Sequence, residues 1–144
     1  MKSLTTTERG SVLVIVAAAM AVLIGFAALA VDGGYLYARH TRLQDVDDSM
    51  ALAAAQQVVA TSGKNEANKR KAAFDKAIDY AGKNQLVVGA KDDANYTAQL
   101  TYGSEKGQMT VSFPDGVKQV KVDLQLVANL YFARVLGKDS TPVN

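Results

Sequence analysis

The chain has 144 residues, a net charge of +2, one histidine and no cysteine. That length allows one small domain beside any membrane segment. The weak charge leaves no electrostatic footprint for nucleic acid, and without thiols neither a disulfide framework nor a thiolate metal site exists. The only local excess, Lys64, Lys69, Arg70 and Lys71, reads as a solvated helix face, with a lipid-headgroup or acidic-partner patch as the alternative.

After a short tail (1–10), Ser11 to Val31 form one apolar run with no charge and no proline, closed by Asp32. About 20 helical residues at 1.5 Å each span roughly 30 Å, the thickness of a bilayer hydrocarbon core. A helix apolar on every side is expected in a membrane rather than on a small soluble domain. The run exceeds the roughly 7–15 apolar residues of a cleaved secretory signal, so a retained anchor is expected. Prepilin processing would require Gly with Glu five residues beyond the cut. After Gly10 that place is held by Ile15, and Glu8 lies on the wrong side. Lys2 and Arg9 flank the run on one side and Arg39 and Arg42 on the other, a weak positive-inside signal. The favoured orientation keeps the short tail in the cytoplasm and the body outside.

Beyond Asp32 the pattern stays helical. Leu36, Leu43, Val46, Met50, Ala54 and Val58 recur at steps of three, four or seven and share one face. Arg42, Asp45, Asp48 and Gln56 lie on the opposite face. The membrane helix therefore extends as a stalk (32–62) to about Ala60, with Gly33-Gly34 the expected kink and Thr61-Ser62-Gly63 the end. A second helix is expected from Asn65 as N-cap, through Phe74 and Ile78, to Ala81, stopped by Gly82. Its stripe of Ala67, Phe74, Ala77, Ile78 and Ala81 would pack on the first as an antiparallel hairpin.

The period then falls to two. Tyr96, Ala98, Leu100 and Tyr102, then Met109, Val111 and Phe113, then Val120, Val122, Leu124 and Leu126 alternate with polar residues. Gly103 to Gly107 and Pro114-Asp115-Gly116 read as turns between them. Three antiparallel strands result, with Leu86-Val87-Val88 as an optional edge strand, and Leu130 to Leu136 as a short amphipathic helix closed by Gly137. The expected fold is α+β: a long N-terminal transmembrane and stalk helix, a second helix and a small antiparallel β-meander head (63–144), pilin-like in shape.

No catalytic constellation emerges. His40 is alone, no nucleophile motif occurs, and the acidic groups Asp45, Asp47, Asp48 and Asp92-Asp93 lack EF-hand spacing. Neither a P-loop nor a dinucleotide glycine motif is present. No catalytic, cofactor or metal residue is expected. Two features point to assembly. Ala17, Ala21 and Gly25 are spaced four apart, which lets membrane helices approach closely. Asp32, Asp45, Asp47 and Asp48 stand with Arg39 and Arg42 on the stalk, where Arg42 and Asp45 are spaced to pair and the charges could set register between neighbouring chains.

The segment Glu8-Arg9-Gly10-Ser11, the apolar run, Val31-Asp32-Gly33-Gly34, Leu36-Tyr37, Arg39, Leu43-Gln44, Asp48 and Leu52-Ala53-Ala54-Ala55 resembles the N-terminal module of TadE/TadG-like proteins of the tight-adherence (Flp) pilus system. Ala77 to Ala81 with Asn84, Val120-Lys121-Val122, Tyr131-Phe132-Ala133 and Leu136-Gly137 are similar to later stretches of that family. The family's midway anchor proline is absent, the alanine-rich strand that usually follows the final Leu-Gly is not expected, and 144 residues leave no room for a large adhesion domain. The resemblance is therefore to a minimal member. It implies a non-enzymatic, single-pass protein of the bacterial inner membrane with its C-terminal domain outside the cytoplasm. The implied partners are membrane lipid and other pilus-assembly proteins or copies of itself, with no nucleic acid and no small-molecule substrate. Ala17, Ala21, Gly25, Asp32, Gly34, Arg39, Leu43, Gln44 and Asp48 are the expected packing and assembly positions. A filament subunit at the cell surface, with the apolar helix in a fibre core, and a membrane-anchored binding module or enzyme are the alternatives.

Overall fold

The computed structural model describes residues 6–144; of residues 6–10 and Leu136 only the backbone is described. Lys2 lies outside the described residues. Helix α1 runs Thr6–Ala60, 55 residues or roughly 80 Å of rise. Helix α2 covers Glu66–Lys83. Five strands follow: β1 (Val87–Asp92), β2 (Thr97–Tyr102), β3 (Glu105–Ser112), β4 (Lys121–Asn129) and β5 (Ser140–Val143). They form one antiparallel sheet in the order β1-β2-β3-β4-β5.

The architecture is α+β in two layers. Leu43, Val46, Met50, Ala54 and Val58 of α1 pack against Ala73, Phe74, Ala77, Ile78 and Ala81 of α2. Alanine at 73, 77 and 81 leaves room for the helices to approach closely. Beneath them lies one sheet face: Ala98, Leu100, Met109, Val111, Val122, Leu124, Leu126 and Val143. Phe74, Met50, Leu100 and Met109 are among the largest wholly enclosed side chains. Tyr96 closes one edge, edge-to-face with Phe74 at 5.8 Å and with Phe113 at 5.4 Å.

Several boundaries differ from the sequence reading. The helix passes through Gly33-Gly34 without interruption: glycine keeps its backbone N–H and C=O, and its helix cost is an entropic one of roughly 0.5–1 kcal/mol per residue. Gly82 lies inside α2, and the stop falls three residues later. Asn65 caps the start, its side chain accepting from Asn68 N–H at 2.9 Å. At the other end Leu86 N–H reaches Ala81 C=O and Gln85 N–H reaches Gly82 C=O, both at 3.0 Å, with Gln85 at φ 69°. This is the Schellman arrangement, and it delivers Leu86 into the core. Ala67 is exposed, being one turn short of the contact with α1.

The turn expected over 103–107 is only Gly103-Ser104. Tyr102 pairs with Glu105, and Gly103 supplies the positive φ of 61° that a two-residue hairpin loop requires. The meander has five strands rather than three or four. β1 pairs with β2 at both ends, through Val87 and Val88 and through Lys91 and Asp92, with an irregularity between Val88 and Lys91. β5 follows Leu136-Gly137, where no strand was expected. Its four residues carry one buried apolar side chain, Val143, so alternation alone is too weak to mark it. The helix expected over 130–136 shrinks to a 3-10 turn, Ala133–Leu136, because Leu130 is pulled into the core at the end of β4.

Two positions give opposite outcomes in thermal melts of the full chain in detergent. A Cβ on Gly107 would sit 1.9 Å from Gln125 C=O across the sheet, so Gly107→Ala must force β3 and β4 apart and is expected to cost about 2 kcal/mol or more. Gln85→Gly relieves a left-handed residue and is expected to gain roughly 0.5–1 kcal/mol.

Candidate functional site: the junction of helix and head

Along α1, Asp32, Leu36, Arg39, Leu43, Val46 and Met50 follow one another at steps of three and four, so they share a stripe. The apolar end of that stripe faces the core. Its polar end holds the head onto the helix where the apolar run stops.

Asp32 is 5% exposed. Its Oδ1 accepts from Tyr131 N–H at 3.0 Å and Phe132 N–H at 3.2 Å, and its Oδ2 accepts from Phe132 N–H at 3.1 Å and Ala133 N–H at 2.7 Å. Three consecutive amides thus converge on one carboxylate, a backbone nest around an anion. The loop itself is closed by Leu130 N–H to Asp139 C=O and by Lys138 N–H to Ala133 C=O.

Two turns further on, Arg39 stands over the Tyr102 ring at 4.6 Å and donates to Tyr35 Oη at 3.0 Å. Its guanidinium lies 3.4 Å from Glu105 Oε2, and Glu105 is 3% exposed. Tyr35 donates to Glu105 Oε1. Burial, and then the adjoining Glu105 carboxylate, push the Tyr35 phenol above its ordinary range. Tyr35 meets Tyr131 edge-to-face at 5.3 Å, joining this cluster to the loop that Asp32 holds. Tyr35, Arg39, Tyr102, Glu105, Tyr131 and Arg134 line a cleft of about 320 Å³.

A third tie lies farther along. Asp47 Oδ2 accepts from Leu124 N–H of β4 at 3.2 Å. Its Oδ1 is buried and, among the described residues, has no hydrogen-bond partner. Burial pushes its carboxyl up to about 6; the Leu124 bond opposes this, and the nearby Asp123 and Asp48 add to it.

The structure sorts the sequence-derived positions. Asp32, Arg39 and Leu43 are used inside the chain, the first two at the junction and Leu43 in the core. Ala17, Ala21, Gly25, Gly34, Gln44 and Asp48 are exposed. Arg42 does not turn to Asp45. It stacks on Tyr102 at 4.6 Å and reaches Gln85 at 3.4 Å, because its helical position points sideways toward the head. His40 is exposed, with Nδ1 2.5 Å from the Asn144 carbonyl. Glu105 and Tyr35 escaped the sequence reading: Glu105 sits within a run that looked like a polar turn, and nothing local marks it as buried. Asp47 was visible only as one of several acidic residues.

The junction yields two expected outcomes. Asp47 binds its proton more tightly folded than unfolded, so its contribution to stability is full below about pH 4 and is lost as pH rises through about 6. Asp47→Asn is expected to flatten the pH dependence of unfolding between about pH 4 and 6. After allowance for solvent screening it should gain on the order of 1 kcal/mol at pH 7. Asp32→Ala is expected to release the 131–133 amides, seen as faster hydrogen exchange there with the β2–β3 amides unchanged; undiminished protection would show that the loop holds itself.

Residues 10–57 match a family model described as Putative Flp pilus-assembly TadE/G-like. No curated protein and no solved structure matches the chain. The matched segment holds the whole apolar run, Asp32 and Arg39 of the junction, and the core stripe through Met50, so over these residues the chain is similar to TadE/TadG-like pilus-assembly proteins.

Proposed function

We propose that this protein is a non-enzymatic, single-pass membrane component in the assembly of a Flp/Tad-type pilus or related surface appendage. The observation that carries the reading is the continuity of α1. Its first half holds a segment long and apolar enough to cross a membrane, with none of it buried against the head. Its second half is the spine of the head's core, and the family match spans both. Isolated in water, the side chains of Val12 to Val31 would form an apolar surface far beyond what a soluble monomer tolerates. Lipid, or other apolar helices, must cover them.

In this reading 11–31 is the anchor, 32–62 the stalk and 63–144 the head, held outside the cytoplasm from the inner membrane. Ala17, Ala21 and Gly25 supply the small residues for helix contact. Tyr37, Gln44, Asp48, Leu52 and Val59 fall on one exposed face of the stalk, which gives neighbouring pilus-assembly proteins or further copies a continuous surface. The same bare helix on a compact head also fits a filament subunit with 11–31 in the fibre core.

Cell fractionation with intact-mass measurement separates these. Full-length chain in the inner membrane, released only by detergent, is the expected result. Recovery in sheared surface filaments would favour the subunit, and a soluble form trimmed near Asp32 would overturn both.

A further inference from the structure

The loop that Asp32 holds does not stay beside Asp32. Phe132, Ala133 and Val135 line a groove of about 480 Å³ together with Ala21, Gly25, Ala28 and Leu29 of the apolar run. Ala21 is about 16 Å down the helix axis from Asp32, at 1.5 Å per residue. The loop therefore lies beside the head-proximal end of the apolar run and shares that groove with it. Its side chains are wrong for water: Val135 is 86% exposed, Tyr131 63% and Phe132 47%. Arg134 and Lys138, both exposed, flank these apolar groups.

We propose that the 131–138 loop is a membrane foot: Phe132 and Val135 enter the hydrocarbon edge of the leaflet nearer the head, and Arg134 and Lys138 sit among lipid phosphates. This rests on reading residues 11–31 as a bilayer-spanning helix. Three features single out lipid as the occupant. The apolar surface of the loop is continuous with that of the anchor, so one solvent must cover both. Irregular backbone is tolerated at membrane depth only where its amides are satisfied, and Asp32 accepts from three consecutive amides of this loop. Tyr131 and Tyr37 then lie at the level of the headgroups, where aromatic side chains with one polar end are favoured, and the two cations complement anionic lipid. Arg134 pairs with Asp139 at 3.1 Å in an exposed ion pair, which a lipid phosphate would have to replace or share.

The chain has no tryptophan, so a single introduced tryptophan reports its own depth. Full-length Phe132→Trp, Val135→Trp, Leu23→Trp and Val59→Trp would each be reconstituted in phosphatidylcholine/phosphatidylglycerol vesicles containing lipids brominated on their acyl chains. Leu23 marks the anchor, and Val59 the far end of the stalk. The expected result is quenching at 132 and 135 several-fold above that at 59, with blue-shifted emission. Two sites in the loop guard against one substitution disturbing the fold, and unchanged circular dichroism checks both. Quenching at 23 but no more at 132 and 135 than at 59 would overturn the foot and leave the anchor standing. No quenching at 23 would overturn the anchor and the foot together.

Discussion

One carboxylate sets the geometry of this molecule. Asp32 closes an apolar run and would be costly to bury without partners. The chain meets that cost with backbone amides rather than with a counter-charge: three successive N–H groups of the β4–β5 connection point at its two oxygens. Because the amides belong to residues about a hundred positions away, the bond fixes how the head sits on the helix. The sheet cannot rotate about α1 without stripping an anion of its donors.

The junction continues along the same stripe in two further steps of different character. At Arg39 a buried ion pair with Glu105 is supported by Tyr35 and by the ring of Tyr102. At Asp47 a single amide of β4 is served, and one carboxylate oxygen stays unsatisfied. The first arrangement pairs its two charges, although Glu105 Oε2 has the ion pair and no hydrogen bond among the described residues, and it favours one alignment of helix and sheet. The second loses stability whenever Asp47 is ionised. The hydrophobic contact begins at Leu43 and Val46, beside the last of these polar ties, and continues through Met50, Ala54 and Val58. One helix face thus changes from charged to apolar along its length, while the opposite face remains open.

That division gives the molecule its two surfaces. The apolar run and the loop beside it form one apolar region. The stalk's outer face, from Tyr37 to Val59, forms a separate mixed region facing away from the head. A protein that works by placing a small head at a fixed attitude to a membrane, with one stalk face left for neighbours, would need this arrangement.

The sequence by itself determined what depends on local spacing. The apolar run announced a helix able to cross a membrane, the step of three and four announced the core stripe, and Asn65 announced the start of α2. Alternation over 96–102, 109–113 and 120–126 announced the central strands. Tertiary structure decided whatever depends on residues far apart. Asp32 and Arg39 looked like stalk charges for neighbouring chains, and only folding brought the 131–133 amides and Glu105 to them. Gln85 carries no sign of its left-handed backbone, which arises because Leu86 must turn into the core. β5 is visible only through its pairing with β4. A short strand, a buried carboxylate and a loop lying along a helix are each stabilised by partners 11 to 100 residues distant, and no local pattern encodes such a partner.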